Sequence, residues 1–144
     1  MRSERDHWQP QAQFAQAGSG RVAVEHRHLH VHQDEVARQG ILQACRRLEV
    51  PFKATAGLHH AVRSGDDHGF LNLLAAAVFG DEEEALAEED PSAFELTPGA
   101  FRWRDREAAA DEIARVRREL FVSFGSCSAQ EPIDGLHALG MLPV

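Results

Sequence analysis

Apolar positions along this chain recur with two spacings, and the switching between them sets the expected architecture. Arg21 to Val31 is a β-compatible stretch, after which Asp34 offers an N-cap for a helix running to about Leu48. Ala37, Ile41, Ala44, Cys45 and Leu48 share one face of that helix, and Gly40 weakens it slightly. Val50 to Ala56 follows after a very short connection, the signature of a βαβ unit with parallel strands. Beyond a loop from Gly57 to Asp67, Phe70, Leu73, Leu74, Ala77 and Val78 predict a helix that Gly80 stops. Asp81 then caps a second helix, whose first turn holds Glu82, Glu83 and Glu84 at the positive end of the dipole; this acidic run reads as a solvated face.

The stretch from Asp90 to Arg104, with Pro91, Pro98 and Gly99, reads as an excursion with a short strand at Phe101 to Trp103 that covers the core without building it. Asp105 is expected to begin another helix, striped by Ala109, Ile113, Val116 and Leu120, with Arg115, Arg117 and Arg118 near its C-terminal end. Leu120 to Phe124 is an apolar strand candidate. The loop Gly125-Ser126-Cys127-Ser128 leads into a capping box of Ser128 and Glu131, with Pro132 in the first turn of a helix that buries Ile133, Leu136 and Leu139 and ends at Gly140. The order β, α, β, α, α, excursion, α, β, α predicts an α/β protein with a parallel sheet or a portion of a barrel. Residues 1–20 show neither period and read as a loose N-terminal tail, leaving a single α/β domain over 21–144.

With 144 residues, 43% of them hydrophobic and 26% charged, the chain has the composition of one ordinary globular domain. A formal net charge of −8 argues against nucleic acid or an anionic membrane as the main partner, since either would repel most of the surface. Two cysteines, Cys45 and Cys127, are too few for a disulfide scaffold and suggest a reducing compartment. No run of about 18 apolar residues and no signal-peptide core is present, so a cytoplasmic location is the expectation.

One residue stands out chemically. Lys53 is the single lysine among fifteen strong cations and lies within the Val50 to Ala56 strand. Alternation puts Phe52 and Ala54 on one face and Lys53 and Thr55 on the other, which in a barrel-like fold is the lumen. A desolvated amine there suits imine formation, as in a lyase, or clamps an anion; the alternative is a structural ion pair with a neighbouring carboxylate. His59 and His60 follow the carboxyl end of the strand, where α/β folds place ligand chemistry, with Arg63, Asp66, Asp67 and His68 beyond them. These imidazoles suit acid–base work or anion binding, or they are polar residues of a solvated loop, and only one of the adjacent pair is expected to face a site.

The Gly125 to Ser128 loop opens a helix directly after a strand, so backbone N–H groups and the helix dipole can converge on an anion through Gly125, Ser126 and Ser128; otherwise it is a tight turn of small residues. Cys127 there is a candidate reactive thiol. His26, His28, His30 and His32 alternate at period two, stacking on one strand face at steps of about 6.6 Å, a pattern that either chelates a metal or is simply solvated. No cofactor motif is read, and no metal is assigned to the Lys53 site.

Three segments carry a family resemblance: PFKATAGLHHAVR at 51–63, HGFLNLLAAA at 68–77, and LFVSFGSCS followed by EPIDGLHALGML at 120–142. Through them the chain from about Pro51 to Leu142 resembles an uncharacterised bacterial protein family that looks like the later part of a TIM-barrel-type enzyme. The resemblance implies parallel βα units of a partial, roughly half, TIM-type barrel and names no activity. The family pattern also carries an Arg-Thr-Gly-Gly type strand end upstream, which nothing at 1–33 reproduces. A complete eight-stranded barrel takes on the order of 200 residues or more, so this chain is expected to hold only part of one, and its exposed edges to favour self-association.

Three functional expectations follow. The first is a small-molecule enzyme, or the C-terminal part of one, that binds a phosphate or carboxylate substrate between Lys53, His59, His60 and the Gly125 to Ser128 turn, with Thr55 and Arg63 as further contacts. The second is a non-catalytic barrel remnant that associates with itself or a partner, as a homo-oligomer for example. The third is a metal-dependent hydrolase built on His26 and His28.

Overall fold

The computed structural model describes residues 35–55 and 58–142. The expected tail at 1–20, the strand at 21–31, the Asp34 cap and the alternating histidines lie outside the described residues. Within them the chain is a mixed α/β protein with two small sheets, one of two parallel strands and one of three antiparallel strands, and no closed barrel.

Helix α1 (Glu35–Arg47) buries Leu42 and Cys45 and ends in a left-handed cap at Glu49, φ 53°, where Val50 N–H reaches back to Cys45 O at 2.9 Å. Burial pushes the Cys45 thiol above its ordinary pKa. Strand β1 (Phe52–Ala54), shorter than expected, lies parallel to β5 (Phe121–Phe124). Phe52 and Phe121 stack beneath the sheet with centroids 5.1 Å apart. A register shift after Phe52 pairs Lys53 with Ser123 and leaves Val122 as the extra residue of a bulge, 41% exposed. Lys53 is exposed, which corrects the expectation of a lumen-facing amine: with only two parallel strands, no neighbouring strand or helix covers that face among the described residues.

Helix α2 (Phe70–Phe79) is the central apolar element, with Leu71, Ala75 and Ala76 essentially inaccessible. Gly80 ends it at φ 81°, its N–H donating to Ala76 O. Arg46 from α1 also closes this helix end, donating through Nη2 to Ala76 O and, at 2.8 Å, to Ala77 O. Its Nε meets Glu82 Oε1 at 3.1 Å. Glu82 opens α3 (Glu82–Ala87) and is only 5% exposed, so the acidic run is not uniformly a solvated face. Asp81 gives α3 no side-chain cap, because its carboxylate pairs with Arg106 at 2.6 Å.

After a single 3₁₀ turn, Pro91–Ala93, comes the largest departure from expectation: residues 94–109 form the meander β2 (Phe94–Leu96), β3 (Ala100–Trp103) and β4 (Arg106–Ala109). The helix expected from Asp105 begins only at α4 (Ala110–Glu119), since Arg104, at φ 57°, turns the chain back in a two-residue hairpin. This segment builds the core and does not merely cover it. Phe101 and Trp103 are among the most deeply buried large side chains, and Phe79 of α2 packs on both, with centroids at 5.9 and 6.1 Å. Helix α5 (Gln130–Ala138) closes the described fold.

The buried Asn72 joins three elements. Its Oδ1 accepts from Arg63 N–H at 2.8 Å, while Nδ2 donates to Ala85 O at 2.8 Å and Glu88 O at 2.7 Å. An isosteric Asn72→Leu chain leaves one donor and two acceptors without partners, and it is expected to lose about 3 kcal/mol of stability in urea unfolding. A loss below about 1 kcal/mol contradicts this role.

Glu88 yields the second prediction. Burial pushes its carboxyl up, but the hydrogen bond and charge of Arg104 and the Asp90 N–H outweigh burial and hold it below the ordinary range. A carboxylate lowered on folding stabilises the fold above its unfolded value, and that contribution is lost as pH falls through the folded value. Arg104→Met is therefore expected to flatten the decline of the urea midpoint below about pH 5, and an unchanged slope contradicts the assignment.

Candidate functional site

Because β1 and β5 run parallel, their carboxyl ends emerge side by side: Ala54 pairs with Phe124, and Gly125 N–H donates to Ala54 O at 2.8 Å. The two following loops face each other there. From the first, His59 Nδ1 meets Glu131 Oε2 of α5 at 2.7 Å, across 72 residues of sequence. An ionised carboxylate only accepts, so Nδ1 carries the proton and Nε2 of the neutral ring is the basic nitrogen. The imidazole remains one-third exposed, which leaves it accessible to a small molecule.

The first loop is held close to α2 by its backbone. Phe70 N–H donates to His60 O and Leu71 N–H to Ala61 O, so the first N–H groups of that helix are already bonded. Gly69 makes this approach feasible: a Cβ there would lie 2.5 Å from both Val62 C and Asn72 Oδ1. On the other side, Gly135 of α5 lies close to Ala61, whose Cβ would be 3.5 Å from any added Cβ. Phe70 stacks on Phe124 at 5.0 Å, tying the start of α2 to the end of β5.

The other expected residues divide. His60 turns to its own loop, with Nε2 at 3.9 Å from Asp67 Oδ2. Arg63 serves structure: its Nε donates to Gly65 O at 3.0 Å, its Nη1 to Leu86 O at 3.2 Å near the end of α3, and it lies 3.6 Å from Glu89. Thr55 is half-buried immediately beyond β1, and Lys53 is exposed two residues earlier. Ser128 Oγ accepts from Gln130 N–H at 3.2 Å and Glu131 N–H at 3.4 Å, while Ser126 Oγ accepts from Ser128 N–H at 3.4 Å. Of the donors expected to hold an anion, Gly125 N–H thus bonds Ala54 O and Ser128 N–H the Ser126 hydroxyl, and the Glu131 carboxylate goes to His59 instead of returning to cap the helix. Cys127 is exposed. His68 is buried, its Nδ1 without a hydrogen-bond partner among the described residues.

The role of Glu131 was not legible in sequence beyond its capping position. The one signal available was topological: a carboxylate in the first turn of the helix that follows β1's parallel partner. Among the described residues, no group of three His, Cys, Asp or Glu side chains is placed to hold a metal ion, and no helix is long and apolar enough to cross a membrane. Comparison with known proteins finds no matching family model, no matching curated protein and no matching solved structure.

Glu131→Gln replaces the acceptor with a group that both donates and accepts, so the Nδ1 tautomer of His59 should lose its preference. Imidazole ¹⁵N shifts at neutral pH are expected to move from one dominant tautomer toward a mixture, and identical spectra in parent and variant rule the pairing out.

Proposed function

We propose that this chain is a small-molecule enzyme, or part of one, in which His59, oriented by Glu131, moves a proton on an anionic substrate bound at the carboxyl ends of β1 and β5. The observation carrying this reading is the 2.7 Å imidazole–carboxylate contact between the loop following β1 and the first turn of the helix following its parallel partner β5. A carboxylate behind an imidazole fixes ring orientation and stabilises the imidazolium formed when Nε2 takes a proton, as a general base requires. Phosphate or carboxylate is the proposed charge class, with the exposed Lys53 as a charge clamp, the role that a solvated ammonium suits better than imine formation. Thr55, Gly125, Ser126 and Ser128 then line the approach to His59, while His60 is turned toward Asp67. The parallel pair with loops at its carboxyl ends also supports the proposal that β1 and β5 are units of a partial TIM-type barrel.

Inorganic phosphate and acetate, titrated separately into the ¹⁵N-labelled chain, test this. Shifts are expected at His59 and at the Ser126 and Ser128 amides, and His59→Ala should weaken phosphate binding about tenfold, the scale of one hydrogen bond donated by a phosphate O–H to Nε2. Absence of shifts at His59 with both anions, or equal affinity in the variant, defeats the proposal.

A further inference from the structure

A concavity of about 600 Å³, with His59 not among its lining residues, lies between β2 and the chain leaving α5. Four consecutive residues, Phe94 to Thr97, line it, so the groove runs along the edge of the strand. Among the described residues β2 pairs only with β3, and the ladder parity fixes which backbone groups face outward. Thr97 N–H donates to Ala100 O and Arg104 N–H to Ala93 O, so positions 93, 95 and 97 bond inward, and Phe94 and Leu96 direct their N–H and C=O groups into the groove. Phe94 N–H is taken by Pro91 O in the 3₁₀ turn. Phe94 C=O and both backbone groups of Leu96 have no backbone partner among the described residues.

The opposite wall supplies half-buried Leu139 and Met141, and Leu96 adds a third apolar side chain. The only charged lining residue is Glu95, and Arg102 already pairs with its carboxylate at 3.1 Å, so the uncompensated acidic charge at the rim is that of Asp90. At one end Asp90 accepts from both Ser92 N–H and Ser92 Oγ, hydrogen bonds that hold its carboxyl below the ordinary range and keep it ionised at neutral pH. We infer that β2 is an acceptor edge for one extended peptide segment of about four or five residues, apolar at alternate positions and basic at the end that meets Asp90, which adds to the sheet as a fourth strand. Backbone bonding to Leu96 and Phe94 sets register, the apolar side chains meet Leu96, Leu139 and Met141, and the terminal cation answers Asp90.

The probe is an acetylated, amidated Arg-Val-Ser-Val-Arg peptide added to the full chain, with a control in which both arginines are glutamates. The expected result is a shift and slowed exchange of the Leu96 amide, at least about tenfold weaker for the acidic control, as loss and reversal of charge at the rim dictate. Leu96→Pro removes the outward donor without breaking a β2–β3 hydrogen bond, so it should abolish peptide binding while the β3–β4 amides stay protected. Retained binding in that variant, equal binding of the acidic peptide, or no change at Leu96 overturns the inference. Leu96 protection that grows with protein concentration in the absence of peptide assigns the edge to a second copy of this chain and overturns the proposed occupant.

Discussion

Much of this small fold depends on the carboxamide of Asn72, which has no contact with solvent. It sits near the start of the most apolar helix and bonds three backbone groups from two other segments. A polar group so placed is costly unless every partner is present, so the loop bearing His59 and the end of α3 are specified together. Arg46 performs the matching task at the other end of α2, using its guanidinium on two carbonyls and the buried Glu82. Between them, these two side chains fix both ends of α2, and α2 in turn carries the wall on which the meander packs.

Charge organises the outer layer in a different way. Arg104 reaches Glu84 and Glu88, Arg106 reaches Asp81, and both guanidiniums lie over the Trp103 ring, at 4.9 and 5.5 Å from its centroid. Individually, exposed pairs contribute little. Here they share one aromatic platform and bridge α3 to the hairpin, so acids that would repel one another on a free helix are each given a counter-charge. Arg102 treats Glu95 and Glu107 the same way across the three strands. The acidity of the chain is thus partly internal to its architecture.

Helices α1, α2 and α5 and strand β5 were legible in sequence from apolar spacing and, for α2, the Gly80 stop, but the faces expected for α1 and α5 were right only in part, since Leu48 is 63% and Ile133 41% exposed. Of the meander only β3 was expected, as the strand at Phe101 to Trp103, and β4 was hidden by coincidence of period. Ala109, Ile113, Val116 and Leu120 fit a helical stripe that reaches back beyond the start of α4, while Ala108, the buried residue of β4, is too small to announce an alternating pattern. Arg104 supplies the hairpin turn in a left-handed conformation usually left to glycine or asparagine, so no turn signal marked it. At the candidate site, His59 was found from its place after a strand, and Glu131 was obscured by an adequate local explanation as a cap. The exposure of Lys53 could not be read from alternation, which assigns faces without saying what covers them.

Gly69 imposes a constraint that reaches beyond its own position. The loop carbonyls and the first turn of α2 are in backbone contact there, so no side chain of any size can be accommodated without parting them. The same short stretch carries His60 and Ala61, with His59 immediately before and Gly135 pressing from the far side. A lesion at residue 69 is therefore transmitted along the main chain to the imidazole. A chemically silent hydrogen atom governs how well a distant acid and base stay aligned.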